Sequence, residues 1–458
     1  MRPQEKQFLE EPIPRLLWKQ SLPAVVGMFV ITLYNLADTI FVGRGVGTLA
    51  LAGVAVSLPL IMIVGAFAQS VGLGFASIIS RSLGEKNYRR AQEALGNYVS
   101  VSVSVSVPLI ILILIWLRPL LVIFGATPDI LLFAYEYAWI VMLGTIFFVV
   151  ASGGNAIVRA FGDAKRAMIG MVIGAVINLI LDPIFVFWFH WGIAGVAWAT
   201  FISWFIGSIY VGWCIFGRGR HLEMKIADFK FKPALLKEGL YIGASAFARQ
   251  ASSSVMMVVL NISLVRYATE IAIAAFGIIL RLTMLVFMPI FGVLQGMQPI
   301  AGMNYGAGNL ARVKEVTRLT IKVSTIISVV AFVIMILFPT QLLGIFSSDP
   351  ELLSAGKNLM RVFVLAYPLL GFQLVAGAFY QAIGSAGEAL FLSTLRQVIF
   401  LIPLMLILPL FFGLNGLYAS FPVTDILATA ITYFVFKRSF SRLHKPMPAE
   451  VPKSVEMI

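Results

Sequence analysis

Twelve apolar runs, each long enough to cross the roughly 30 Å of hydrocarbon in a bilayer, follow one another along this chain. Lipid offers no hydrogen-bond partners to the backbone, so a spanning segment must be a helix or a strand of a closed barrel. Barrel strands need only about ten residues, whereas helices need about 20. The sequence therefore predicts an all-α membrane protein of twelve transmembrane helices. The runs lie at residues 22–43, 51–80, 95–116, 129–152, 166–190, 194–216, 239–265, 271–303, 317–338, 353–380, 388–412 and 415–436.

The distribution of charge supports a multi-pass membrane protein and predicts its orientation. Hydrophobic residues make up 60% of the chain and charged residues 12%, against roughly 45–50% and 25% in soluble proteins. The net charge of +13 does not indicate nucleic-acid binding, because the basic residues concentrate in alternate loops. Positive loops mark the cytoplasmic side, so we expect the inner (plasma) membrane with both termini cytoplasmic. The clustered basic residues are Arg81, Lys86, Arg89, Arg90, Arg159, Lys165, Arg166, Arg218, Arg220, Lys225, Lys230, Lys232, Lys237, Arg312, Lys314, Arg318, Lys437, Arg438, Arg442 and Lys445.

The two halves of the chain repeat each other. Pro128 and Pro350 close the similar motifs Phe-Gly-Ala-Thr-Pro and Phe-Ser-Ser-Asp-Pro. Several separate regions keep the spacing of these two prolines, exactly or to within a single position, which makes chance a poor explanation. They pair Gly84 with Gly306, Asn87 with Asn309, Arg90 with Arg312, Glu93 with Glu315, Ala160–Gly162 with Ala382–Gly384, and Gly192–Gly195 with Gly413–Gly416.

The repeat predicts two homologous bundles. Each half has six runs, an even number, so both copies begin on the same side of the membrane as parallel repeats. We predict an N-terminal lobe at 1–217, a polar cytoplasmic linker at 218–238 and a C-terminal lobe with its tail at 239–458. Two such lobes facing a central cavity form an arrangement in which rocking alternates access to the two sides.

The fifth run holds two polar residues and a helix breaker in apolar surroundings. Asn178 and Asp182 are four residues apart, so a helix places them on one face. Pro183 cannot donate to the carbonyl of Leu179, which leaves that oxygen free beside the carboxylate. An aspartate at the bilayer centre costs roughly 2.5–3.5 kcal/mol on insertion scales. A chain that retains one is therefore expected to use it to hold a cation or a proton.

Four motifs occur in the order Tyr34–Gly43, Arg159–Asp163, Gly296–Gly308 and Gln381–Gly384. The first includes an acidic residue of the first run, Asp38. Together with the repeat, the motifs resemble those of the multidrug and toxic compound extrusion (MATE) family over nearly the whole chain. The resemblance implies a secondary active antiporter that exports amphipathic, often cationic, compounds in exchange for protons or sodium ions.

The resemblance also assigns a coupling site. In the branch that this sequence resembles most, an acidic residue of the first helix and an Asn and Asp of the fifth bind the cation, which implies an H⁺ or Na⁺ site at Asp38, Asn178 and Asp182. The resemblance adds three supporting positions, Thr200, Tyr34 and Asn155. Another branch places carboxylates in the seventh and tenth helices. This sequence has Arg249, Gln250, Tyr367 and Gln373 there, which argues against a cation site in the C-terminal lobe.

Structural roles compete with binding roles for each of these residues. Neither aspartate has a basic residue within one helical turn, which favours a functional role over an ion pair. Asn178, in contrast, also fits a simple bridge between helices, and Thr200 a bond to its own backbone. Sodium requires several oxygens and a proton requires a carboxylate in a dry pocket, and the residues satisfy both requirements.

Three arginines lie about midway along runs of the C-terminal lobe: Arg249, Arg281 and Arg396. The only comparably deep carboxylate there is Asp425. Unpaired arginine in hydrocarbon is costly, so these side chains should face a cavity, water or a partner. Two interpretations stay open, an ion pair with Asp425 that locks helices together and a basic wall for an anionic ligand or lipid headgroup.

The substrate cavity is assigned to five residues, of which the methionines supply the flexible, polarizable side chains of a promiscuous pocket. Ordinary packing is an equally good explanation of the methionines. We expect small amphipathic substrates, membrane lipids as partners, no nucleic acid and a monomer. The assigned residues are Gln69, Met257, Arg281, Met288 and Gln295.

No enzyme motif is complete, and we expect no cofactor besides the coupling ion. The sequence lacks a Gly-Lys-Ser/Thr phosphate loop, which argues against ATP-driven pumping. A flippase for lipid-linked oligosaccharides is the main alternative, because deep arginines suit a pyrophosphate. A scaffold or receptor is the other, and buried carboxylates argue against it.

Overall fold

The structure, a computed structural model, describes residues 3–217, 222 and 224–443, and its regular secondary structure there is entirely helical. The first six membrane spans are Ile13–Gly45, Thr48–Gly84, Tyr88–Ile115, Pro128–Ala160, Ala164–Trp188 and Gly192–Phe216. The next four are Pro233–Tyr267, Glu270–Gly306, Leu310–Leu337, and the pair Pro350–Phe363 and Tyr367–Ile383, which is bent by 50°. Predictions for Arg218, Arg220, Lys445 and the tail beyond 443 lie outside the described residues.

The last two spans lie in one apolar helical stretch, Ala386–Ser441, of 56 residues. At 1.5 Å per residue such a helix would be about 84 Å long, far more than one bilayer crossing requires. Gly413, with φ 56° and ψ −138°, interrupts it and separates an eleventh from a twelfth span. The predicted count of twelve spans, six in each half, is confirmed.

Backbone geometry repeats between the halves at the spacing found in the sequence. Gly162 (φ 88°) and Gly384 (φ 81°) both have left-handed conformations directly after a span. Gly192 (φ 57°) and Gly413 (φ 56°), which the repeat also pairs, do the same before the sixth and twelfth spans. Such φ values are strained for residues with a Cβ, which explains the paired glycines. The parallel repeat is therefore present in the fold as well as in the sequence.

Short helices repeat too. Leu117–Ile123 follows the third span, and Pro339–Gly344 follows the ninth at the equivalent place in the second half. At the turn between the second and third spans Lys86 has φ 59°, and its repeat counterpart is Gly308, with φ 75°. One copy thus retains a strained lysine where the other uses glycine.

The chain divides into two compact units that differ from the predicted lobes. The first bundle is Lys19–Gly243, and the second bundle is Met1–Trp18 with Ala244–Ile458. The predicted boundaries at 217 and 239 therefore change, and the segment Met1–Trp18 groups with the second half of the chain. Two sets of contacts, one in each unit, account for this.

Glycine packing holds the start of the seventh span in the first bundle. A Cβ on Gly74 would lie 2.0 Å from the carbonyl oxygen of Gly239, and a Cβ on Gly243 would lie 2.2 Å from that of Ser70. Glu238 also pairs with Arg81 in the second span, with an N–O distance of 2.9 Å. Backbones this close leave no room for side chains, so the beginning of this span, as far as Gly243, belongs to the first bundle.

A half-buried arginine, Arg312, holds the N-terminal segment in the second bundle. Arg312 donates from Nη2 to the carbonyl oxygens of Phe8 (3.1 Å) and Glu11 (2.6 Å), and from Nε to Oδ1 of Asn304 (3.1 Å). Phe8 is fully buried. The segment before the first span is therefore anchored to the connection between the eighth and ninth spans.

Part of the predicted linker is packed rather than loose. Asn97 donates to the carbonyl oxygen of Lys230 (3.2 Å) and accepts from the amide of Lys232 (2.8 Å). Ser100 donates to the carbonyl oxygen of Phe229 at 2.6 Å. These contacts place residues 229–232 against the third span, within the first bundle.

The second and fourth spans of the first bundle also pack backbone against backbone. A Cβ on Gly72 would lie 2.5 Å from Cα of Gly153. We expect Gly72→Ala to destabilise the protein by roughly 1–3 kcal/mol, because an added methyl group forces the backbones apart. Gly207→Ala is the matched control, since nothing lies within 4 Å of that Cβ position. Thermal unfolding in detergent measures both, and equal melting temperatures would contradict the prediction.

Candidate functional site

The fifth span changes its helical pitch directly after its aspartate. The α-helix Ala164–Pro183 continues into one π turn, Ile184–Trp188, in which Phe189 donates to the carbonyl oxygen of Ile184 at 3.0 Å. Pro183 lacks an N–H, so the regular ladder is already interrupted there. Single π turns are frequent at functional sites. The distortion widens the helix beside Asp182.

Asn178 and Asp182 lie on one buried face, as predicted. Asp182 is 0% exposed and Asn178 2% exposed. The Nδ2 of Asn178 is 3.4 Å from Oδ1 of Asp182 and 3.4 Å from Oγ1 of Thr200 on the sixth span. Both distances are long for hydrogen bonds, so these contacts are weak. The three side chains form a loosely bonded polar group.

The first span adds a second carboxyl group to this cluster. The carboxyl group of Asp38 lies beside that of Asp182. Tyr34, one turn earlier, lies beside both carboxyl groups. Two carboxylates side by side in a buried site repel each other. The pair is therefore a place where one positive charge is favoured.

Three oxygens of the cluster are buried without a hydrogen-bond partner: Oδ1 of Asp38, Oδ1 of Asn178 and Oδ2 of Asp182. In the described part of the chain no lysine, arginine or histidine forms an ion pair with either aspartate. A buried acceptor left unsatisfied costs roughly 1–3 kcal/mol, more when charged. A bound cation would supply the positive charge that the two carboxyl groups lack.

Tyr137, on the fourth span, belongs to the cluster, and the sequence interpretation missed it. It is 4% exposed and lies beside Asp38, Tyr34, Asp182 and Thr200. No motif or spacing distinguishes it from the other tyrosines of the chain. It joins the site only through the packing of the fourth span against the sixth.

The structure corrects the assignment of Asn155 as a supporting residue. It follows Tyr137 on the same helix by about five turns, which is about 27 Å along the axis. Its Nδ2 donates to the carbonyl oxygen of Ala167 (2.7 Å), and its Oδ1 accepts from Arg159. Both polar atoms are therefore satisfied far from the cluster, near the end of the span.

The donor set of the cluster consists of oxygens only. Carboxylate, amide and hydroxyl oxygens suit hard cations such as sodium, whereas transition metals favour His or Cys ligands. Within residues 3–217, 222 and 224–443 there is no group of three or more His, Cys, Asp or Glu side chains arranged for a metal. The chemistry therefore fits a proton or a sodium ion.

The five substrate-cavity residues fall on both bundles. Gln69 is exposed on the first bundle, and Arg281 is exposed on the second. Met257 is 37% exposed, while Met288 and Gln295 are half-buried, all on the second bundle. None of them belongs to the aspartate cluster, so their assignment to a substrate site stays a prediction.

An ion pair joins the eleventh and twelfth spans. Arg396 donates from Nε to Oδ1 of Asp425 at 2.6 Å and from Nη2 to Oδ2 at 3.4 Å. The structure therefore contains the ion pair with Asp425, which was one of the two interpretations of the deep arginines. Tyr367 lies beside the pair and is 2.6 Å, hydroxyl to hydroxyl, from Thr283.

A sequence model matches each half of the chain once. The model of the MatE family covers residues 23–184 and 246–407, together more than half of the chain. The two matched segments end at equivalent places, in the fifth and eleventh spans. The internal repeat is thus a repeat of one family unit.

Curated relatives and solved structures match almost the whole length. A FAD transporter of Shewanella oneidensis is 26% identical, over 94% of this chain and 96% of that protein. The multidrug export protein MepA of Staphylococcus haemolyticus is 25% identical, over 95% and 96%. The outward-facing structure of a multidrug resistance MATE family transporter of the MOP superfamily superposes with a TM-score of 0.89 at 28% identity, covering 96% of this chain and 98% of that chain.

Proposed function

Because this chain belongs to the MatE family, whose members are transporters and not enzymes, we propose that it exports amphipathic small molecules in exchange for a cation. The cation, H⁺ or Na⁺, binds at Asp38, Asn178 and Asp182 in the first bundle. The protein is a multi-pass membrane protein, and we place it in the plasma membrane with cytoplasmic termini because its basic residues concentrate in alternate loops.

The observation that carries the proposal is the set of three buried, unpartnered oxygens. Structural polar groups inside membrane helices normally find partners, because lipid offers none. Here two neighbouring carboxyl groups and the amide oxygen of Asn178 are left without partners, and no basic residue neutralises them. A site that needs a positive charge and does not supply one from the chain is suited to bind a mobile cation.

Cation binding is coupled to helix packing through these residues. Without a cation, repulsion between Asp38 and Asp182 separates the first and fifth spans; with one, attraction to both carboxylates holds the spans together. The first span has few buried residues compared with the fourth, so it moves at lower cost. The π turn after Asp182 offers a place for the fifth span to bend.

The substrate class follows from the relatives. MepA is named a multidrug export protein and the Shewanella protein a FAD transporter. We propose that this chain exports organic compounds with an apolar ring system, and that it acts as a monomer. A lipid-linked oligosaccharide flippase is the alternative, and transport of a water-soluble dye separates the two.

The test is transport of ethidium by the purified protein in proteoliposomes, under an imposed pH gradient or sodium gradient, one at a time. We expect one gradient to drive ethidium movement against its concentration difference. Ethidium movement that depends on neither gradient would contradict the proposal of ion coupling. Absence of dye movement together with translocation of a fluorescent polyisoprenyl-phosphate lipid would establish the flippase instead.

Tyr137→Phe tests the hydroxyl groups of the cluster. Removing this hydroxyl takes a polar group from beside Thr200 and the two aspartates, and a polar contact worth about 1 kcal/mol corresponds to a roughly five-fold weaker apparent affinity for the coupling cation. The cation concentration at half-maximal transport measures it. Tyr135→Phe, on the same span, is the matched control, because its ring stacks with Arg118 and keeps that contact. Equal shifts in the two variants would contradict the assignment of Tyr137.

A further inference from the structure

The ninth span, Leu310–Leu337, begins with three basic residues on one face. Lys314, Arg318 and Lys322 follow one another at intervals of four residues, which places them along the same side of the helix. Lys314 is half-buried, and the other two are exposed. We call these three residues the basic face. Charge on a membrane span is costly unless water or an anion lies beside it, so the basic face needs an explanation.

The basic face lies at the level of the lipid headgroups. The helix has 28 residues, about 42 Å, against roughly 30 Å of hydrocarbon. Its last charged residue is Lys322, so the excess length lies at its beginning, around Lys314 and Arg318. Lys322, about one turn deeper than Arg318, has a side chain long enough to extend its ammonium group back to the surface.

The same face becomes apolar deeper in the membrane. Ile326, Val329 and Val333 continue it at intervals of four, three and four residues, and all three are exposed. Ser324 and Ser328, on the opposite side of the helix, are buried. Charge followed by exposed hydrocarbon along one face matches the order of groups in a phospholipid, in which the acyl chains lie below the phosphate.

Two of the three basic side chains lie beside one aromatic ring. Nζ of Lys314 is 6.0 Å from the centre of the Phe440 ring, and Cζ of Arg318 is 5.6 Å from the same centre. Residues four apart on a helix also have Cβ atoms only about 5–6 Å apart. The ammonium and guanidinium groups are therefore close enough for one phosphate to accept hydrogen bonds from both.

The ring is fixed in the second bundle. Phe440, near the end of the twelfth span, stacks on Phe436 with 4.8 Å between ring centres, and its centre is 5.9 Å from that of Phe379 in the tenth span. Phe436 and Phe379 are buried. Lys437, exposed beside the Tyr433 ring, adds a further positive charge one turn from Phe440.

No acidic side chain neutralises the basic face in the described part of the chain. Lys314 and Arg318 form no ion pair or side-chain hydrogen bond there. Glu315, three residues before Arg318, is exposed and forms no ion pair with it. Its counterpart in the first half, Glu93, pairs with Arg89 at 2.8 Å. The second copy of this helix therefore keeps a positive charge that the first copy neutralises.

The first half covers the matching face with protein. The repeat pairs Arg318 with Gly96 and Lys322 with Ser100. A Cβ on Gly96 would lie 2.0 Å from the carbonyl oxygen of Asp228, and Ser100 donates to the next carbonyl oxygen of the linker at 2.6 Å. The third span thus has small residues where a chain segment packs on it. The ninth span has charged residues at the same positions, which suit an anionic partner instead.

We propose that the basic face binds the phosphate group of an anionic phospholipid, in the leaflet next to the basic loops. The Arg318 fork matches two phosphate oxygens, and Lys314 adds a point charge beside it. A lipid fits better than a soluble anion, because the charges lie at headgroup depth and the face continues as exposed hydrocarbon. The inference goes beyond the proposed export function and depends on neither its substrate nor its cation.

The test is lipid binding by the full-length protein, purified in detergent and freed of lipid. Phosphatidylglycerol or phosphatidylcholine is added back, and native mass spectrometry counts the lipids that stay bound. We expect phosphatidylglycerol to bind at lower concentrations than phosphatidylcholine. Arg318→Gln and Lys314→Gln should each weaken phosphatidylglycerol binding about five-fold, the factor that one basic residue contributes near an anionic membrane surface. Phosphatidylcholine binding should change less than two-fold.

Two variants separate a specific site from a general effect of charge. Arg318→Lys keeps the charge and should keep most of the affinity. Lys165→Gln removes an exposed charge at the start of the fifth span, on the same side of the membrane because odd-numbered spans begin on one side. It should change phosphatidylglycerol binding less than two-fold. Arg318 is exposed, so its variants should keep the wild-type melting temperature.

Each outcome decides the inference. Preference for phosphatidylglycerol that Arg318→Gln loses, and that Arg318→Lys and Lys165→Gln keep, supports the site. An equal loss in Lys165→Gln would show a diffuse effect of charge and overturn it. Displacement of the lipid by an excess of soluble glycerol phosphate would contradict a lipid as the ligand. Equal retention of the two lipids by wild type would show that no anionic lipid binds the basic face. Ethidium transport is measured separately, so the proposed export function stands or fails on its own.

Discussion

Asp182→Asn is expected to reduce gradient-driven ethidium transport to the level of empty liposomes. The substitution keeps the size of the side chain and removes its negative charge, so the cluster loses much of its attraction for a cation. It also ends the repulsion with Asp38 that makes the packing of the first and fifth spans depend on the cation. Transport in proteoliposomes measures the effect, and size-exclusion chromatography shows whether the protein is folded.

Asp129→Asn is the matched control for that prediction. Asp129 is an exposed acidic residue in the first turn of the fourth span, outside the cluster. The same change of charge there should leave transport within two-fold of wild type. Wild-type transport by Asp182→Asn would show that its carboxylate is not needed for coupling and would count against the mechanism.

Arg396→Met is expected to cause the largest loss of stability. It leaves Asp425, 2% exposed, as an unpaired buried carboxylate, and breaking a buried ion pair in this way costs roughly 3–5 kcal/mol. The partial exposure of Arg396 favours the lower end of this range. Thermal unfolding in detergent should therefore show a clearly lowered melting temperature.

The double variant Arg396→Met with Asp425→Leu identifies the cause. Replacing both partners by apolar side chains removes the orphaned charge, and such replacements are often neutral. The double variant should unfold close to the wild-type temperature. If it unfolds as early as Arg396→Met, the loss comes from packing around the π segment rather than from the ion pair.

The spans could be predicted because lipid forces every crossing to be a helix of known length. The same reasoning identified Asp182 and Asn178, since polar residues stand out in an apolar run. Helix packing could not be predicted in this way. No motif or spacing in the sequence marks Tyr137 as a site residue. Asn155 fits the family resemblance as well as Thr200 does, and only packing places it about 27 Å along the helix from the cluster.

The boundaries of the bundles also could not be predicted from the sequence. A polar stretch near residue 218 predicts a linker, but it does not show that Gly239 and Gly243 pack against the second span. Likewise, nothing near Phe8 indicates a contact with Arg312, which lies far away in the second half of the chain. Such long-range backbone contacts depend on glycines and carbonyl oxygens, which have no distinctive pattern along the chain.

The most direct test is a count of cations bound by the purified protein. Titration calorimetry with sodium at fixed pH, together with proton release in weakly buffered solution, should show one bound sodium ion or one titrating proton per molecule. Both signals should be absent from Asp182→Asn and unchanged in Asp129→Asn. The same stoichiometry in Asp182→Asn as in wild type would contradict a cation site at the aspartate cluster.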